Sequence, residues 1–129
     1  MIVVDASAVV DALTGAPAVE GLVEMLSAED LHAPQLLDYE VVAAVRGLAL
    51  GRRLSGARAE HVLTDFADLP VERWPADPAL RRRAFQLRHS LSAYDAAYVA
   101  LAEAMECPLV TRDGRLARAA GVVVRVVLP

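Results

Sequence analysis

Five short apolar runs, set between longer segments with helical spacing, constrain this 129-residue chain more than any other feature of it. The first, IVVD at 2–5, is wholly apolar up to its closing acid, as a strand covered on both faces must be. LHAP at 31–34, closed by Pro34, LPVERW at 69–74, PLVT at 108–111 and VVVRVV at 122–127 follow as further strands. Between them, 6–13 reads as a short helix broken by Gly15 and Pro17. Segment 17–28 reads as a helix with Val19, Leu22, Val23 and Leu26 on one face. Segment 36–50 carries Leu37, Val41, Ala44, Val45 and Leu48 and ends at Gly51, while 56–68 is capped by Ser55 and turns Val62, Leu63 and Phe66 inward. Helices are also predicted over 78–90 (Leu80, Ala84, Leu87, with Leu91 beyond), 93–105 (Tyr94, Tyr98, Leu101, Met105) and 114–120. Strands alternating with helices in this way predict a three-layer α/β/α fold around a short, mostly parallel central sheet. The length suits one compact domain over residues 1–129.

Composition narrows the function classes. Apolar residues make up 56% and aromatics 5%, too apolar for a disordered chain, and no stretch is long and charge-free enough to span a bilayer. The opening MIVVDAS has neither a basic leader nor a cleavable apolar region, and one cysteine, Cys107, rules out an internal disulfide framework. A cytoplasmic location is therefore expected. The net charge of −4 argues against gripping nucleic acid through bulk positive charge. All 13 basic residues are arginine, which suits phosphate and carboxylate contacts and equally follows from a GC-rich coding bias.

In open parallel sheets ligands bind beyond the carboxyl ends of the strands. Asp5 and Asp113 stand just beyond the first and fourth strands, at that edge. Each has a second reading as the N-cap of the helix that follows. Asp95 has one too, because Ser92-Ala-Tyr-Asp95 has capping-box spacing, and Glu40 lies in a first turn where an acid favours the helix dipole. Clustered carboxylates repel one another unless a cation offsets them, and hard oxygen ligands suit Mg²⁺ or Mn²⁺. Such a set points to phosphodiester hydrolysis. His32, His61 and His89 lack ligand spacing, which argues against zinc. Asp38, two residues from Glu40, faces another side of its helix, Asp11 reads as a rim residue, and Cys107 is expected to pack in the core.

The segments IVVDASAVVDAL, APQLLDYEVVAAVR, LSAYDAAYVALAEAM and CPLVTRDGRLARAAG, in that order, resemble the PIN-domain nucleases, and among them the VapC-type toxins of bacterial toxin–antitoxin pairs. The resemblance covers nearly the whole chain. It implies that Asp5, Glu40, Asp95 and Asp113 form an acidic quartet around one or two Mg²⁺ or Mn²⁺ ions, with Ser7 and Thr111 supplying supporting hydroxyls. It also implies an endoribonuclease acting on RNA, a homodimer, and silencing by a small VapB-type antitoxin protein. Arg112 and Arg115 flank Asp113 and are candidates to meet the RNA backbone; Arg46, Arg52 and Arg53 near Glu40 are others.

Three other functions compete. A phosphatase of the aspartyl-phosphate type usually wants a second acid two residues after the first, and Ser7 stands there. A non-catalytic PIN-like binding module is disfavoured by the intact quartet. A PIN nuclease of RNA maturation would share the chemistry without the toxin role.

Overall fold

The computed structural model describes residues 1–15 and 18–129, so the expected break at Pro17 lies outside the described residues. Five strands form one wholly parallel sheet in the order β3-β2-β1-β4-β5. They are β1 (Ile2–Val4), β2 (Leu31–Pro34), β3 (Val71–Trp74), β4 (Leu109–Val110) and β5 (Val126–Val127). The helices are α1 (Ala6–Thr14), α2 (Leu22–Ala28), α3 (Leu37–Leu50), α4 (Gly56–Asp68), α5 (Pro78–Gln86), α6 (Ala93–Met105) and α7 (Gly114–Ala120).

The layering follows from the strand order. Right-handed crossovers from β1 to β2 to β3 move one way across the sheet and put α1–α4 on one face. The chain then returns to β4 and continues to β5, which puts α5–α7 on the other. Contacts agree: α1 packs on α3 and α4, while α6 packs on α5, β1 and β2. Covered on both faces, Ile2, Val3 and Val4 are all buried, as are Val9, Val41, Val62, Tyr98, Val99 and Leu109. Cys107 is buried too, as expected.

Of the elements that are shorter than predicted, α2, α5 and β5 have a clear local reason. α2 begins at Leu22 and leaves residues 18–21 of the expected helix outside it, because Gly21 takes a left-handed φ of 78° that stops a helix from continuing back through it. Val23, expected on its inner face, is exposed while Leu22 and Leu26 are buried. α5 ends at Gln86, and residues 87–90 close in tight turns in which the Leu87 amide donates to the Arg83 and Ala84 carbonyls. The strand expected over 122–127 reduces to Val126–Val127. The amides of Val123 and Val124 both donate to the Ala120 carbonyl, closing α7 and leaving Val122 exposed. No helix among the described residues is long and apolar enough to cross a membrane.

Candidate active site

The sheet reverses its winding direction between β1 and β4, and a crevice opens at such a switch point beyond the strand ends. Asp5 follows β1 there. Its backbone is extended (φ −95°, ψ 173°), its amide donates to the Val110 carbonyl of β4 at 3.2 Å, and its Oδ1 caps α1 by accepting the Ala8 amide at 3.0 Å. The capping reading of Asp5 is therefore correct, and it leaves a carboxylate at the sheet edge. Oδ1 also accepts the Ser7 hydroxyl at 2.7 Å, and Oδ2 accepts the Thr111 hydroxyl at 2.5 Å.

Those two hydroxyls tie the β1 and β4 loops together. Ser7 Oγ accepts the Arg112 amide at 2.8 Å, and Thr111 Oγ1 accepts the Asp113 amide at 3.0 Å. Each hydroxyl thus donates to Asp5 and accepts from the loop that carries Asp113. Thr111 is fully buried, and Asp5 is 6% exposed. Burial pushes the Asp5 carboxyl above its ordinary range. The Thr111 and Ser7 hydroxyls and the Ala8 amide pull it back, and the charge of Asp113 pushes it further up.

Asp113 caps α7: its Oδ1 accepts the Arg115 and Leu116 amides at 2.9 and 3.2 Å. Oδ2 lies 3.7 Å from Arg115 Nη2. Glu40 comes from the first turn of α3 on one face of the sheet, and its Oε1 accepts the Tyr98 hydroxyl at 2.6 Å from α6 on the other. Burial raises the Glu40 carboxyl, the Tyr98 hydrogen bond lowers it, and the charges of Asp95 and Asp5 raise it. Burial and the same Glu40 push the Tyr98 phenol far above its usual range, so it stays a donor.

Asp95 sits in the first turn of α6. Ser92 Oγ caps that helix by accepting the Asp95 amide at 3.1 Å, but the Asp95 carboxylate does not reach back to complete a capping box. It turns instead to the Arg115 guanidinium, 3.3 Å from Oδ2. Mutual electrostatic influence links Asp5 to Asp113 and Glu40 to Asp95 and Asp5, and Arg115 Nη2 spans Asp95 and Asp113 at 3.3 and 3.7 Å. All four acids expected from the sequence therefore converge, with Ser7 and Thr111 among them.

Two expectations need refinement. Arg112 has its guanidinium engaged inside the protein: Nε donates to Asp11 Oδ2 at 3.1 Å, and Nη1 donates to the Pro129 carbonyl. Asp11 is accordingly the partner of Arg112, half-buried rather than a free rim acid. Arg115 stays 70% exposed at the rim. Asp38 does point away from Glu40, to Arg73 Nη2 at 2.8 Å. Tyr98 is the residue that sequence reasoning left as apolar packing. Its position three residues after Asp95 on one helix face was the available signal.

Four carboxylates with hydroxyl support form an all-oxygen donor set, the chemistry a hard divalent cation takes. Among the described residues no three acidic, His or Cys side chains are already gathered as a metal cage. The contacts say why: Asp5 is turned onto Ser7 and Thr111, Glu40 onto Tyr98, and a guanidinium stands between Asp95 and Asp113. Their donor chemistry is the kind a hard divalent ion takes.

Comparison with known proteins adds three findings. The family model described as "PIN domain" matches residues 2–122. The chain is 43% identical over 121 residues to "Ribonuclease VapC12" of Mycobacterium tuberculosis, covering 94% of this chain and 93% of that one. It is 45% identical over 116 residues to "Ribonuclease VapC9" of the same organism, covering 90% and 88%. Among solved structures, that of VapBC2 from Rickettsia felis, bound to a DNA fragment from their promoter, superposes with a TM-score of 0.69 at 14% identity. It covers 99% of this chain and 98% of the other.

Proposed function

This chain belongs to the PIN-domain family, beside its VapC ribonucleases, and from that premise we propose an Mg²⁺- or Mn²⁺-dependent endoribonuclease, the toxin of a toxin–antitoxin pair. The observation that carries the reading is the meeting of Asp5 and Asp113 at the β1/β4 switch point with Glu40 and Asp95 from opposite layers.

Asp5, Asp95 and Asp113 would hold the ion, with Glu40 as a further ligand or as the group that orients the attacking water. Bound there, Mg²⁺ or Mn²⁺ supplies a more acidic water and offsets the charge that builds on the phosphate. The chain's own residues do the positioning. Ser7 and Thr111 fix both oxygens of Asp5, so its carboxylate cannot rotate freely. The Ala8 amide and the two hydroxyls favour its ionised form, the form that binds a cation. Tyr98 does the same for Glu40 and fixes where its free oxygen points.

RNA is the substrate in this reading and a VapB-type antitoxin the silencing partner, in keeping with the ribonuclease relatives and the VapBC neighbour. The cytoplasm, where such RNA is made, is the proposed place of action. A homodimer is also proposed. Its support is the apolar surface left open on both helical layers: Tyr39, Val42 and Leu50 on α3, and Phe85 on α5 and Tyr94 on α6 beside a cleft of about 420 Å³.

Incubating total RNA with the purified chain and Mn²⁺, then mapping the new ends, tests the activity. Cleavage that stops on chelation and is absent in Asp5→Asn is expected. Undiminished cleavage by folded Asp5→Asn, or in chelator, overturns the metal-dependent assignment.

A further inference from the structure

The Arg115 guanidinium reaches two of the four acids. A single guanidinium nitrogen, Nη2, lies 3.3 Å from Asp95 Oδ2 and 3.7 Å from Asp113 Oδ2. It stands where a cation shared by those two carboxylates would stand. Its placement is not casual. The Arg115 amide is one of the two caps on Asp113 Oδ1, so the main chain is pinned beside the acid and Oδ2 is turned toward the side chain. The contact is nonetheless weak. Side-chain exposure is 70% for Arg115, against 20% for Asp95 and 38% for Asp113, and ion pairs this open are heavily screened.

We infer that Arg115 is a built-in counter-cation that competes with the divalent ion for Asp95 and Asp113 and, once displaced, is free to pair with an RNA phosphate. The inference rests on the metal-dependent reading above. In the metal-free protein the guanidinium relieves the repulsion between the two acids. A divalent ion taking the same two oxygens repels it outward. From the rim, a displaced arginine can meet a phosphate with its planar fork. Phosphate and metal then favour one another's binding, because each draws away what the other must displace.

Calorimetric titration of the metal-free full chain with Mn²⁺ alone, without RNA, tests this directly. Arg115→Ala should bind Mn²⁺ about two- to fivefold more tightly than wild type, the range expected for loss of one exposed ion pair. Arg115→Lys, which keeps a cation, should stay near wild type. Arg118→Ala removes the same charge one turn further along α7 without touching the ion pairs to Asp95 and Asp113, and should also leave Mn²⁺ affinity unchanged. In RNA cleavage, Arg115→Ala should raise KM and flatten its salt dependence by about one phosphate contact. Mn²⁺ affinity in Arg115→Ala equal to or weaker than wild type, or an equal gain in Arg118→Ala, overturns the inference while leaving the ribonuclease reading intact. If wild type binds no Mn²⁺ and cleaves RNA in chelator, both fall together.

Discussion

Asp5 illustrates how one side chain can serve fold and chemistry at once. It caps α1, closes the β1–β4 junction through Ser7 and Thr111, and presents a carboxylate at the sheet edge. Its burial has a consequence for stability. The folded carboxyl titrates above its unfolded value, so the metal-free native state holds its proton to higher pH than the unfolded chain does. Stability from this group is full below the ordinary 3.8 and is lost as pH rises through the folded value. Thermal melts in chelator should therefore show wild type weakening as pH rises from about 4, and Asp5→Asn weakening less. Glu40, shifted the same way, contributes to the slope that remains. Equal slopes would contradict the buried-charge account. Tyr98 makes the opposite contribution at Glu40, holding its carboxyl down by donating to it. Tyr98→Phe should move the acid limb of the cleavage–pH profile upward. An unmoved limb would mean that ionisation of Glu40 does not govern the reaction.

Among the elements, α3 and α6 matter most, because each carries one acid from its own layer to the shared edge. Their first turns are built differently. α6 is capped by the Ser92 side chain, whereas no side chain caps α3 at Leu36, and Glu40 is held from across the sheet by Tyr98. Ser92→Ala should cost about 1 kcal/mol of stability, and Ser55→Ala, which uncaps α4, about the same. Only Ser92→Ala should also slow cleavage, since Asp95 lies in the turn that Ser92 fixes. Denaturation midpoints with cleavage rates check both, and equal rates in the two variants would detach Asp95 from its cap. The shortened β5 is a lesson at this level too. Six residues of strand-forming composition yield two paired ones, because β4 offers only Leu109 and Val110 as partners and α7 takes up the preceding turn.

For the whole molecule, the sheet order places the switch point at β1/β4, and the two helical layers deliver acids to it from both sides. Apolar side chains stay open on both helical layers, with Phe85 on α5 65% and Tyr39 on α3 82% exposed. If these side chains join two copies, Tyr39→Arg with Phe85→Asp should halve the mass measured by light scattering and leave the melting of the separated chain intact. An unchanged mass would move the dimer contact elsewhere. Expression of the chain alone in a bacterial host should arrest growth, and Asp5→Asn should not.

Much of this was legible in the chain itself. A wholly apolar strand ending in an acid can only be buried on both faces, and periodicity of helix and strand set the alternation that makes a parallel sheet. The quartet could be named because its acids follow strand ends or open helices, positions that depend on local order. What local order could not decide was which reading of each acid holds, since a cap and a ligand look alike until another layer arrives. Tertiary structure shows the Asp95 carboxylate at Arg115 rather than back at Ser92, and the Arg112 guanidinium drawn inward to Asp11. It also revealed Tyr98 on Glu40, a contact between residues 58 positions apart. Periodicity reports which face of an element is buried; only packing brings distant side chains within hydrogen-bond reach.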